Sequence, residues 1–265
     1  MAETSASIRV RKEVRELTPT EWAAYANAVA TANSQGWVAW YAHQVDTNFS
    51  TTTGNAMFLP FRRKLVADFE NRLRAVDPTV GVPYWDVSRD ASNPAASEVL
   101  TSAFAGGNGD ASQGNTVATA GRFGPWTLAY PTKHALTRRF NAGDKISPWS
   151  TSEFVTSALQ TSTTYDDLRR NLENTVNGQV HIGIGGDMST TSAPNDPIYW
   201  LHVANLDRLW ALWQSSNPTR VRAYDGVNSS GRPAVLTDTM PVYDVPVASV
   251  MDTAALGYCY SAQSS

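Results

Sequence analysis

The chain has 265 residues, a formal net charge of −3, nine Trp and a single Cys. That length buries a sizeable core, and the slight negative charge without any Lys/Arg run excludes a nucleic-acid surface. With Cys259 alone, no intrachain disulfide and no cysteine-based zinc or iron–sulfur site can form. Pro and Gly are spread without a dense linker, so one domain over residues 1–265 is expected, with no C-terminal lid domain. No run of eighteen apolar residues is present, and Met1 to Ser7 lacks the apolar stretch of a leader. A soluble chain with no membrane partner is expected, cytoplasmic rather than secreted. Sequons at Asn48 and Asn228 would matter only if a leader had been removed.

Thr18, Pro19 and Glu21 form a capping box with Pro at the first helical position, and Trp22, Tyr25, Ala26 and Val29 recur at helical spacing. A first helix is predicted from Pro19 to Asn33. A second runs from Trp37 to Val45, followed by a polar loop from Asp46 to Gly54. Phe58, Leu65, Phe69 and Leu73 then mark one face of a longer helix that ends before Asp77 and Pro78.

Residues 86–125 are rich in Ser, Ala, Gly and Asn with little periodicity, which predicts a long surface excursion. Helical pattern returns from Ser152 to Val180, with Phe154, Leu159, Leu168 and Leu172 as expected core positions. A Gly-rich turn is predicted at Gly183 to Gly186. Asp196 caps a helix beginning at Pro197, whose apolar surface comes from Trp200, Leu201, Leu206, Leu209, Trp210 and Trp213. Around Val235 and from Val242 to Val247, loops and small strands are expected. The fold class is therefore mainly α, a helical bundle with long loops and a few short strands.

Two stretches carry a family resemblance. One is Gly54 to Glu70, containing Met57-Phe58-Leu59-Pro60-Phe61-Arg62-Arg63, with Val82-Pro83-Tyr84-Trp85-Asp86 shortly after. The other is Gly185-Gly186-Asp187-Met188 followed by Asn195-Asp196-Pro197-Ile198-Tyr199-Trp200-Leu201-His202-Val203 and Asp207-Arg208-Leu209-Trp210. These resemble the two copper-site segments of the tyrosinase and catechol oxidase family, with Lys133 to Arg138 and Val250 to Tyr260 similar to its fungal members. The resemblance implies a tyrosinase-like four-helix-bundle core.

It also implies a pair of copper ions held by six neutral imidazoles, a donor type suited to both copper oxidation states. This chain has four histidines. Matched position by position, His43 falls at the first ligand, Thr53 at the second and Arg62 at the third. In the second segment the family positions are Asn177, His181 and Val203, and His202 matches a neighbouring non-ligand. A guanidinium has no lone pair to give and a Val side chain offers only methyls, so no metal and no cofactor is expected here.

Each remaining residue has two readings. Arg62 is either a buried ion-pair partner, with Glu173 as the natural counter-ion, or a clamp for a carboxylate, phenolate or enolate. His181 is either a core histidine satisfied by a carbonyl or a general acid/base, and His43 carries the same alternatives. Glu173 falls where the family places a Glu that holds a water, or serves helix hydrogen bonding. Asn177 is a surface residue or a donor to a substrate carbonyl. His134, His202, Asp207 and Arg208 read as structural.

Two functions fit this pattern. The first is a repurposed biosynthetic enzyme doing metal-independent elimination, cyclisation, isomerisation or hydrolysis on a phenolic or other aromatic small molecule, with Arg62, His181 and His43 catalytic. Asn177, Glu173, Thr53 and Val203 would then bind substrate. The second is a non-catalytic homologue that binds a ligand or partner, which Thr53 and Val203 equally permit. A residual copper-dependent phenol oxidase would need ligands that the sequence lacks.

Overall fold

The computed structural model describes residues 8–261, so the Met1 to Ser7 stretch read above lies outside the described residues. Among the described residues, eight α-helices carry the fold. They are α1 (Pro19–Ser34), α2 (Trp37–Thr47), the short α3 (Phe49–Thr52), α4 (Phe58–Val76), α5 (Ser152–Thr161), α6 (Tyr165–Asn171), α7 (Gly178–Ile184) and α8 (Pro197–Ser215). The predicted starts hold for stated reasons. Thr18 accepts from the Glu21 amide while the Glu21 carboxylate accepts from the Thr18 amide, which satisfies two donors that the first turn of α1 leaves free. Asp196 accepts from the Ile198 amide at the head of α8, and its carboxylate is also gripped by both arms of Arg138 at 2.8 Å.

Helix α8 is buried on nearly every face from Pro197 to Trp210, as expected of a central helix. It packs on α4, where Phe69 and Trp200 stack with ring centroids 3.6 Å apart. Tyr41 of α2 meets both rings edge-on. Between α6 and α7 the backbone passes through a π-helical turn, Leu172–Asn177, which also contacts α8. Together α2, α4, the α6–α7 segment and α8 form the four-helix core.

The strands are short. Arg9–Arg11 (β1) pairs in parallel with Tyr258–Tyr260 (β6), whereas Thr127–Leu128 (β2) with His134–Ala135 (β3) and Thr239–Met240 (β4) with Val245–Pro246 (β5) form small antiparallel ladders. The β1–β6 pairing, which the sequence pattern did not suggest, sits over a buried charge cluster. Asp207 of α8 accepts from Arg63 of α4, from Arg11, and from the Tyr258 and Tyr260 hydroxyls at 2.6 Å each. Arg11 is shared with Glu70 at 2.6 Å. Asp207 thus does the structural work expected of it, and Arg208 bonds Asn205 and lies over the Tyr84 ring.

Three expectations need correction. The polar loop expected from Asp46 to Gly54 is largely helical, because α2 runs on to Thr47 and, in α3, the Thr51 and Thr52 hydroxyls bond back to the Asn48 carbonyl. Phe154 is 38% exposed, and the inward face of α5 is Val155 and Ala158. The helix is there but its phase is set by packing against α8, which the sparse apolar residues of that segment did not reveal. Residues 86–125 are a succession of 3₁₀ turns rather than a surface excursion alone, and they send Val87, Val99, Leu100, Ala105 and Phe123 into the core.

Candidate functional site

The site is assembled from α4, the loop before it, the π-turn, α7 and α8. Arg62, one turn into α4, is 6% exposed. Its Nη1 donates to the Thr52 carbonyl at 3.0 Å and the Phe58 carbonyl at 3.2 Å, its Nη2 reaches Thr53 Oγ1 at 3.4 Å, and its guanidinium lies 3.7 Å from the Phe58 ring centre. Nε has no hydrogen-bond partner among the described residues. The expected Arg62–Glu173 ion pair does not form. Glu173 is taken by Arg169 at 2.8 Å, four residues back along the helix, and accepts from the Gly54 amide at 2.6 Å. Arg62 is therefore held by neutral carbonyls, and burial pulls its pKa down while Tyr199 and Glu173 act in the opposite direction. Its charge persists, since a guanidinium does not give up its proton in a protein.

His181, half-buried on α7, donates from Nδ1 to the Met188 carbonyl at 2.6 Å. A carbonyl can only accept, so Nδ1 carries the proton and Nε2 keeps its lone pair. Burial lowers the pKa to about 4, with the Arg62 charge adding to the effect, so the ring is neutral at physiological pH. The loop that presents Met188 depends on two glycines. Gly185 and Gly186 have φ of +65° and +57°, and a Cβ at either would stand 2.1 and 2.2 Å from the Arg139 and Thr137 carbonyls. The same loop is anchored by Asp187, which accepts from the Thr137 amide and from His134 Nε2 at 2.8 Å each. His134 also sits on the Thr132 carbonyl through Nδ1, and these two acceptors raise its pKa against the cost of burial. Its expected structural role therefore has a definite object, the turn that orients His181.

Asn177 closes the π-turn and lies 3.2 Å from His202 Nε2. With Nε2–H donating to Asn177 Oδ1, the fully buried His202 has its Nδ1 unpartnered among the described residues. Its ring meets His181 edge-on at 5.5 Å, and His181 meets Tyr199 at 6.2 Å. Val203 is fully buried beside them on α8. A π-turn inside a helix is a frequent mark of a functional position, and here it carries both Glu173 and Asn177.

Of the candidates, the structure brings together Arg62, Thr53, Glu173, His181 and, through His202, Asn177. His43 is exposed on α2, and its partners are Gln44 and the Tyr130 ring. Sequence reasoning passed over Tyr199 and placed His202 among the structural residues. Their spacing is the missed signal, because residues 199, 202 and 203 stand three and four apart and so share one face of α8. Among the described residues, no set of three or more His, Cys, Asp or Glu is arranged to hold a metal ion, and no helix is long and apolar enough to cross a membrane.

Comparison with known proteins bears on this geometry. Residues 23–216 match the model of the common central domain of tyrosinase. The chain is 34% identical to a tyrosinase of Streptomyces antibioticus, with 78% of this chain and 81% of that one covered. It is 32% identical to a tyrosinase of Streptomyces lincolnensis, over 92% of this chain and 96% of the other. To tyrosinase ustQ of Aspergillus flavus it is 34% identical, over 78% of this chain and 64% of that one. In fold it is similar to a polyphenol oxidase from Thermothelomyces thermophila, with a TM-score of 0.77 at 21% identity over 96% of this chain and 89% of the other. A functional unit of octopus hemocyanin gives 0.67 at 21% identity, over 96% and 68%.

Proposed function

We propose, for a chain that belongs to the tyrosinase family, a metal-independent acid/base activity on an aromatic small molecule, with Arg62 and His181 as its working pair. What supports this reading is a buried guanidinium that pairs with no carboxylate among the described residues, acting on a neutral imidazole whose proton is fixed on Nδ1. His181 Nε2 is the base. It takes a proton from a hydroxyl or an activated carbon of the substrate, and Arg62 stabilises the negative charge left on oxygen. Thr53 and Glu173 hold the loop and the helix against which Arg62 lies, while Asn177 and Val203 bound the same region from the π-turn and α8.

The family's two copper ions do not fit these residues. At the matching positions stand Thr53, Arg62, Asn177 and Val203; a guanidinium repels a cation at close range and Val has no donor atom. His181 faces a fixed positive charge, and His43 points its ring at Tyr130 on the exposed side of α2.

The test is turnover in the presence of a strong chelator, followed by product analysis on a panel of phenols, aryl acids and their esters. His181→Asn is expected to lower kcat about a hundredfold or more with ligand affinity little changed, because a proton-transfer group acts in the transition state. Arg62→Met is expected to cost a similar factor and Arg62→Lys less, as Lys retains charge but not the planar fork. Melting temperature is followed beside activity. Turnover that appears only on adding copper, or folded variants of full activity, overturns the reading. Ligand binding without turnover of any compound moves the assignment to a non-catalytic binding protein.

A further inference from the structure

Away from the candidate site, a concavity of about 450 Å³ opens between α5 and the last turns of α8. Thr156, Leu159 and Gln160 of α5 and Leu212 and Trp213 of α8 line it, together with Arg220 of the 3₁₀ turn Pro218–Arg220. Its volume falls in the range of sites for small organic molecules. Leu212 is 42% exposed, a large apolar side chain left open on an otherwise buried helix. At the helical rise per residue, Leu212 lies about 14 Å along α8 from Val203, so the concavity is separate from the residues around His181.

Arg220 is held in one position within it. Its Nη1 donates to Ser216 Oγ at 2.9 Å and to the Leu159 carbonyl at 3.3 Å, and its Nη2 donates to the Ser162 carbonyl at 3.1 Å. The guanidinium lies over Trp213, 4.8 Å from the ring centre, and the Trp213 Nε1 donates to the same Ser162 carbonyl at 2.9 Å. Capping the end of α5 is the structural purpose of these contacts. They use three of the five N–H donors that a guanidinium has. The Nε–H and one Nη2–H find no acceptor, and Arg220 pairs with no carboxylate, among the described residues.

No Asp or Glu is among the described residues that line the concavity. Nε and Nη2 are neighbouring nitrogens of one planar fork, and their spacing is the one that the two oxygens of a carboxylate match side by side. Beside the fork, Leu159 and Leu212 present hydrocarbon, against which an apolar body gains in proportion to the area it buries. A neutral molecule would leave the fork unpaired and an ammonium would be repelled by it. We infer that this concavity binds a monocarboxylic acid with an alkyl body, its carboxylate held by Arg220 Nε and Nη2 and its chain laid on Leu159 and Leu212. The site does not depend on the roles given to Arg62 and His181.

Calorimetric titration of the intact protein with sodium octanoate, 1-octanol and octylammonium chloride at neutral pH tests the site. Octanoate is expected to bind at least about tenfold more tightly than octanol, and octylammonium not to bind. Arg220→Gln is expected to bring octanoate down to the level of octanol. Because Arg220 also bonds the Leu159 and Ser162 carbonyls, the melting temperature of that variant is followed, and Leu212→Glu gives a second measurement at an exposed position. It is expected to weaken octanoate about tenfold by charge repulsion, with the melting temperature of the parent. Octanol or octylammonium bound as tightly as octanoate, no octanoate binding at all, or parental octanoate affinity in both variants overturns the inference. Loss of octanoate binding in Arg62→Met with none in Arg220→Gln puts the carboxylate elsewhere and also overturns it. The acid/base reading is decided separately, by turnover in His181→Asn.

Discussion

At Arg62 the chain keeps a cation in its interior by spreading it over two main-chain carbonyls and an aromatic face, not by pairing it with an acid. A buried ion with no counter-ion is costly unless its hydrogen bonds are good, and positions of that kind cluster where chemistry is done. His181 gains from the same field. Because its folded pKa lies near 4, below the ordinary value near 6.5, the folded state binds fewer protons than the unfolded state between those values. Its contribution to stability is therefore complete above about pH 6.5 and is lost as pH falls toward 4. If Nε2 is the base, kcat/KM is expected to stay level down to about pH 5 and to fall with an apparent pKa near 4. An acid limb at the value of a free imidazole would separate His181 from the proton transfer. Direct titration of the ring protons by NMR checks the same number without a substrate.

Helices α4 and α8 are joined by two unlike contacts, the Phe69–Trp200 stack and the Asp207 cluster. The cluster reaches further than the helices, since Arg11 of β1 and Tyr258 and Tyr260 of β6 end on the same carboxylate. Against the cost of burial, Arg63 and Arg11 lower the Asp207 pKa, so its carboxylate is charged at neutral pH. Asp207→Ala leaves the buried Arg63 guanidinium without its anion and Arg11 with Glu70 alone. It is expected to cost about 3–5 kcal/mol in urea unfolding. Tyr258→Phe, which removes one of several donors, is expected to cost about 1 kcal/mol. Equal losses from the two variants would mean that strand β6, not the charge cluster, carries the stability.

For the molecule as a whole, the chain carries the scaffold of the tyrosinase family, and the proposed metal-independent chemistry predicts that copper does not bind at its centre. Restoring imidazoles at four positions, with Thr53→His, Arg62→His, Asn177→His and Val203→His together, is expected to return measurable copper binding by metal analysis but only weak catechol oxidation. Ligand imidazoles need partners that fix their tilt and tautomer, and the partners present serve other residues. Asn177 now meets His202, and the Thr52 and Phe58 carbonyls serve Arg62. Oxidase activity at the level of a bacterial tyrosinase in that variant would show the supporting groups intact.

Helix positions and their caps were legible in the linear pattern, because a capping box, a Pro at the first turn and a 3.6-residue period are local features that neighbours along the chain determine. So was the family, through two long motifs, the first of which contains Arg62. The partner of Arg62 was not legible. Glu173 had a nearer claimant in Arg169 on its own helix, and the carbonyls that hold Arg62 belong to no residue type in particular. Likewise Phe154 lay outside the core because α5 rotates to meet α8, and Tyr199 joined the site because α8 presents it beside His202. Distances across the bundle, main-chain acceptors and the rotation of one helix against another are set only when all the layers pack at once, and there the linear pattern stops short.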